Sequence, residues 1–232
     1  MDKIIVSWQE EWEAGQSIWH YDVTNPFLDE FFHLFEKDNL VDKRIFVPLC
    51  GKSVDLKFFY DKGMSVVGVD NVEVAVEAFF KENELSYHVE DSQLLSGCKV
   101  YRHDNRLAIF VCDMFKVNVA LLEGPFDYLW DRAAFGSITG THAEQQKYCN
   151  VIDAVLSDKA KGLVECFVYD RSLQIGPPYS FPMEKITIYY KNTFNVEELC
   201  CRKNDELPEW YRAKRPAFQQ SKRAMYFIKR ET

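Results

Sequence analysis

No stretch of the 232-residue chain approaches the apolar length needed to cross a bilayer, and Met1 to Trp12 lacks the apolar run of an export signal. A soluble, cytoplasmic protein is expected. The seven cysteines form no C-x-x-C pair, and none shares a zinc-type spacing with the five histidines. Reduced, mostly buried thiols and no metal site are therefore expected. Positive charge is in deficit, with 28 Lys and Arg against 36 Asp and Glu, a net charge of −8. That balance argues against nucleic acid or an anionic membrane as the main partner. Repeats, low-complexity tracts and Pro/Gly/Ser-rich linkers are absent, so one domain over 1–232 is the economical reading.

Hydrophobic residues are plentiful, at 47%, enough for a substantial core. Most of the aromatic rings are expected in that core, the remainder walling a flat, apolar ligand pocket. The chain opens with a tryptophan-rich stretch, Ser7 to Ile18, that suits a short amphipathic helix, and Pro26 suits the start of another. Strands are expected at Arg44–Pro48, Ser65–Asp70, Lys99–Arg102, Leu107–Val111, Phe126–Trp130, Gly162–Tyr169, Val196–Cys201 and Ala224–Lys229. Helices fall between them at Val54–Lys62, which stops at Gly63, and after Asn71, which is expected to cap the next one. Thr141 and Glu144 have capping-box spacing for a third, and Ile186–Tyr190 is ambiguous between helix and strand. The basic C-terminal positions Lys214, Arg215, Lys222, Arg223, Lys229 and Arg230 alternate with apolar residues and read as a final strand with solvated charges. Alternating strands and helices predict an α/β fold with a mostly parallel central sheet, helices on both faces, and ligand-binding residues beyond the carboxyl ends of the strands.

Four strand ends carry the informative residues. The first runs into Pro48-Leu49-Cys50-Gly51-Lys52-Ser53, and the second ends at Asp70, nineteen positions after Gly51. A strand, a glycine-bearing turn, a helix and then an acid about twenty residues on is the layout of a nucleotide site. Gly51 would let backbone approach the ligand, and Asp70 would accept from ribose hydroxyls. The turn has a single glycine, so G-x-G-x-x-G is absent and a pyrophosphate cradle is disfavoured. A nicotinamide oxidoreductase falls back for that reason, while S-adenosylmethionine has no phosphates and tolerates the poorer loop. The third end, Cys112-Asp113-Met114-Phe115, offers an acid for the adenine amine with Met114 and Phe115 beside the base; a turn or helix cap is the plainer role for Asp113. At the fourth, Asp131 and Arg132 follow a buried strand, either at a docking face or as an ion pair closing the strand end.

These segments resemble the thiopurine S-methyltransferase family, within the Rossmann-like class I methyltransferases. The matching elements are Trp8-Gln-Glu-Glu-Trp12 through Trp19-His20, Phe46-Val-Pro-Leu-Cys-Gly-Lys-Ser53, Ser65-Val-Val-Gly-Val-Asp70, Trp130-Asp-Arg132 and Gly176-Pro-Pro-Tyr179, in the family's order. The resemblance implies a single methyltransferase domain with an antiparallel last strand and residues 1–35 as a helical lid. It places Trp8, Trp12 and Trp19 over S-adenosyl-L-methionine, with S-adenosyl-L-homocysteine as product. Leu49 and Gly51 would line the methionine moiety, Asp70 the ribose, and Cys112 and Asp113 the adenine. Trp19, Arg132, Pro178 and Arg212 would face the acceptor, a small aromatic or heterocyclic thiol, in a monomer. Arg132 would stabilise the anionic acceptor, with Asp131 the runner-up as general base. Halide, thiocyanate or selenium methylation and non-catalytic cofactor binding are the alternatives. Mammalian members carry glutamate at the Asp70 position, phenylalanine at Trp19 and glycine at Ala133.

Overall fold

In the computed structural model the described residues are 8–15, 17, 19–37, 39–138, 140–173, 176–204, 212 and 216–230. The first helix expected, Ser7 to Ile18, is observed as α1 (Trp8–Glu13); Ser7, Gln16 and Ile18 lie outside the described residues, as do Lys214 and Arg215. Two short helices follow, α2 (Pro26–Phe31) and α3 (His33–Glu36). Asn25 caps α2 by accepting from the Phe27 amide, and Pro26, with no N–H to satisfy, occupies the first turn.

Nine strands lie among the described residues: β1 (Arg44–Pro48), β2 (Ser65–Asp70), β3 (His88–Asp91), β4 (Lys99–Arg102), β5 (Leu107–Val111), β6 (Phe126–Arg132), β7 (Leu156–Val168), β8 (Phe194–Lys203) and β9 (Lys222–Arg230). Between them stand α4 (Asp55–Asp61), α5 (Glu73–Glu82), α6 (Ala134–Ile138), α7 (His142–Val155) and α8 (Met183–Tyr190), with a short helix at Pro216–Gln219. One sheet holds every strand, in the order β3-β4-β5-β2-β1-β6-β7-β9-β8. Its centre, β5-β2-β1-β6-β7, is parallel; β9 runs antiparallel between β7 and β8, and the β3–β4 hairpin extends the other edge.

Both faces of the parallel strands are buried, which explains their nearly continuous apolar sequences. Phe46, Val67, Val69, Phe110 and Leu129 face α7 and α8, while Ile45, Val47, Val66, Ile109, Tyr128 and Trp130 face the aromatic residues of α2 to α5. The order reverses at β1: β2 and β5 lie to one side, and the chain then crosses to β6 on the other. Ligands of such sheets bind beyond the carboxyl ends at this reversal. That brings the tips of β1, β2, β5 and β6 together at one end.

Two expectations need correction and one ambiguity is resolved. Asn71 does not cap α5: Val72 holds the cap position without a side-chain bond, and the Asp70 carboxylate accepts its amide at 2.9 Å. Ile186–Tyr190 belongs to a helix. Asp131 and Arg132 are the last two residues of β6, not residues beyond it, so they point to opposite faces of the sheet.

Candidate active site

The β1 tip is a tight turn. Leu49 (φ 45°) and Gly51 (φ 49°) both adopt left-handed backbone, and the Gly51 amide donates to Asp70 Oδ2 at 2.7 Å. Asp70 Oδ1 takes the Val72 amide, so one carboxylate ties the β1 loop to the end of its own strand. Each oxygen keeps a further acceptor position for a ligand hydroxyl. Burial raises the Asp70 pKa, with the surrounding amides opposing it. Beneath the loop, Gly68 gives Cys50 room: a Cβ there would lie 2.7 Å from Cys50 Sγ. Cys50 is buried and its thiol pKa is raised by desolvation, so it is packing, not a nucleophile.

The N-terminal segment lies over this loop. A Cβ on Gly51 would meet the Trp12 ring at 2.8 Å, so the backbone and the indole are in direct apposition. Trp19 packs edge-on to Trp8 and Trp12, with centroids 5.1 and 5.9 Å away. His20 has a side chain only 8% exposed, beside Trp12 and 3.2 Å from the Asp22 carboxylate. Desolvation and then the Lys52 charge lower its pKa, which keeps it neutral at neutral pH.

At the β5 tip, Asp113 caps a single 3-10 turn, Met114–Lys116, by accepting from the Phe115 amide at 2.9 Å, and its residue remains exposed. Cys112 beside it is buried, with a thiol pushed up to about 12 by desolvation. Met114 is the correction here. At 2% exposure it packs into the core, so it offers no open face to a base, and the half-buried Phe115 carries the aromatic surface.

Arg132 and Asp131 diverge because successive strand residues alternate faces. Asp131 is fully buried; it caps α6 by accepting from the Ala134 and Phe135 amides and takes the Tyr148 hydroxyl at 2.8 Å. Burial pushes its pKa up to about 6. No ion pair with Arg132 forms, and neither oxygen is offered to an acceptor, so the expected general base is a helix cap. Arg132 is half-buried. It donates to the Trp19 carbonyl and lies 4.2 Å from the Tyr21 ring centroid. Its other guanidinium donors make no further hydrogen bond among the described residues.

A buried polar network that sequence patterning did not single out secures this end. Asp55 accepts from the Asn25 amide and from Trp130 Nε1, each at 2.9 Å. The Asn25 side-chain amide donates to Glu165 at 2.7 Å, and Glu165 pairs with buried Arg223. Desolvation opposes ionisation of Glu165, but the Arg223 charge and its hydrogen bond win and hold the pKa below the usual range. Pro178, half-buried, presents its carbonyl to the Tyr169 hydroxyl at 2.5 Å, and Arg212 is half-buried.

The residues fit an adenosine-bearing cofactor: an acid at the second strand, another at the third, and a β1 turn whose backbone a side chain would block. With the strand order, they define a class I methyltransferase, an enzyme that uses S-adenosylmethionine. The chain belongs to the thiopurine S-methyltransferase family, whose sequence model matches residues 5–231. It is 30% identical over 208 residues to the thiopurine S-methyltransferase of Mus musculus, covering 89% of this chain and 84% of that one. The Bos taurus enzyme is 28% identical over 207 residues, covering 89% and 82%. Among solved structures, the 1,6-didemethyltoxoflavin-N1-methyltransferase of Burkholderia thailandensis, with S-adenosylhomocysteine, superposes with a TM-score of 0.59 at 14% identity over 100% of this chain and 94% of that one. The magnesium protoporphyrin IX methyltransferase of Synechocystis does so at 0.60 and 13%, covering 96% and 95%. At those identities the likeness is one of fold. No described helix is long and apolar enough to cross a membrane, and no described cluster of His, Cys, Asp or Glu is arranged for a metal ion.

Proposed function

We propose that this enzyme methylates the sulfur of a small aromatic or heterocyclic thiol, as a cytoplasmic monomer without nucleic-acid or membrane partners, with residues 1–35 serving as the lid. One observation carries the reading: a half-buried arginine with uncommitted donors stands at the β6 tip, next to the loop and carboxylate that suit the cofactor. The family membership supports it.

S-adenosylmethionine supplies an electrophilic methyl group on a positively charged sulfur. Leu49 and Gly51 would hold its amino-acid part, Asp70 its ribose, and Cys112, Asp113 and Phe115 its adenine. Trp8, Trp12 and Trp19 exclude water above it. Holding acceptor and methyl in line supplies roughly 7–11 kcal/mol of the barrier. A thiol attacks as its thiolate. Arg132 favours that anion by proximity of charge, lowering the acceptor's pKa in the site. Aromatic heterocyclic thiols are acidic enough that this suffices without a dedicated base. Trp19, Pro178 and Arg212 shape the acceptor side.

Arg132→Glu should depress turnover far more than affinity for S-adenosylhomocysteine. Unchanged turnover in that variant, measured beside a labelled-methyl screen of thiols, selenols, thiocyanate and iodide, would remove the role. Transfer to iodide alone would move the enzyme to the halide alternative.

A further inference from the structure

We infer that Tyr21 is a positioning residue for Arg132, setting the aim of the guanidinium; this rests on the thiol reading above. The ring of Tyr21 lies between two arginines, 4.2 Å from the Arg132 guanidinium carbon and 5.6 Å from that of Arg223. The two differ in freedom. Arg223 is buried, paired with Glu165 and packed 4.7 Å from the Phe27 ring. It is a fixed backing. Arg132 is half-buried, and its hydrogen bond and ring contact among the described residues both come from one three-residue stretch: the Trp19 carbonyl and the Tyr21 ring.

That stretch is anchored just downstream, where Asn25 bonds Asp55 and Glu165. The Tyr21 ring therefore covers one face of a guanidinium that the Trp19 carbonyl holds from its edge. Arginine loses rotamer freedom when it works, and a face already stacked on an aromatic ring has lost it in advance. The planar fork then presents its remaining N–H groups edge-on to the acceptor. Asp55 and Glu165 are the buried acids whose fields reach Arg132.

The test compares wild type, Tyr21→Phe and Tyr21→Leu with thiophenol and labelled S-adenosylmethionine between about pH 5 and 9, a range spanning the titration of aromatic thiols. Tyr21→Phe keeps the ring face and should match wild type. Tyr21→Leu should raise KM for thiophenol about tenfold, the scale of one desolvated cation–π contact. Its acid limb of kcat/KM should also move up toward the thiol's solution pKa, with calorimetric affinity for S-adenosylhomocysteine and the melting temperature unchanged. A merely structural role would lower melting temperature and cofactor affinity and leave the limb in place. The inference is overturned if Tyr21→Leu keeps the wild-type limb and KM, or if Phe and Leu are equally impaired. Should wild type transfer no methyl to any thiol, the thiol reading fails by itself. Tyr21 is then judged by the ring-shifted Nε–H NMR signal of Arg132, assigned with Arg132→Lys. Persistence of that shift in Tyr21→Leu overturns the inference; its loss there, with retention in Tyr21→Phe, supports it.

Discussion

Gly51→Ala isolates the close approach at the centre of the site. Two costs follow from the structure. The backbone φ of 49° is left-handed, which costs a side-chain-bearing residue about 1–2 kcal/mol. The new Cβ also falls 2.8 Å from the Trp12 ring, closer than carbon atoms tolerate, so the indole must shift. Gly97 provides the control: its φ is 77°, but a Cβ there meets nothing within 4 Å. Gly97→Ala therefore carries the strain alone. For a chain of this size each kcal/mol moves the melting temperature by about 2–4 °C. Gly97→Ala should lose a few degrees and bind S-adenosylhomocysteine like wild type. Gly51→Ala should lose more, and calorimetry should show cofactor affinity down by about tenfold or more, since 1.4 kcal/mol of lost backbone approach is a decade. Adding Trp12→Ala to Gly51→Ala should recover stability without recovering affinity. If Gly51→Ala bound S-adenosylhomocysteine as tightly as Gly97→Ala does, the β1 turn would not be where backbone meets cofactor.

Two further outcomes are expected of the β6 end. Ala133 has a φ of 57°, so Ala133→Gly should relieve strain and add up to about 1 kcal/mol of stability, net of glycine's greater unfolded freedom, raising the melting temperature by up to about 2–4 °C; a lower melting temperature would refute this. Asp131 ionises near pH 6 when folded, against 3.8 for the free group, so the native state binds the extra proton between those values and this residue's contribution falls as pH rises through them. Asp131→Asn should flatten that fall, by at most about 3 kcal/mol, in denaturation series run at pH 4 and pH 7; a slope identical to wild type would show that the carboxyl titrates normally.

Much of the site was legible because local chemistry dictates it. A left-handed turn after a buried strand asks for Gly51, and an acid at the next strand's end sits where both the loop amides and a ligand can use it. The alternation rule also separated Asp131 from Arg132, yet the sequence reading treated them as one polar pair because it ended β6 at Trp130. Met114 was misplaced for a related reason. A single 3-10 turn reverses which side chains face inward, and nothing in four residues announces it. Strand β3 escaped notice because all four of its residues are exposed, leaving no apolar alternation. The Asn25–Asp55–Glu165–Arg223 network joins residues up to 140 positions apart, and only the folded sheet brings them together. Asn25 was visible only as the residue preceding a helix-starting proline. The Thr141–Glu144 capping box, by contrast, is entirely local and is observed as expected.

On the thiol reading proposed above, the charge of Arg132 near the buried acid Glu165 has a consequence for turnover. Methyl transfer from a sulfonium to a thiolate consumes one positive and one negative charge, so the methylated acceptor leaves neutral. A site that grips its substrate through a guanidinium thereby loses its hold at the moment the bond forms, with no separate ejection step. Glu165, whose pKa lies below the usual range, would leave the vacated arginine beside a counter-charge. On that reading, departure of the thioether would incur little electrostatic penalty.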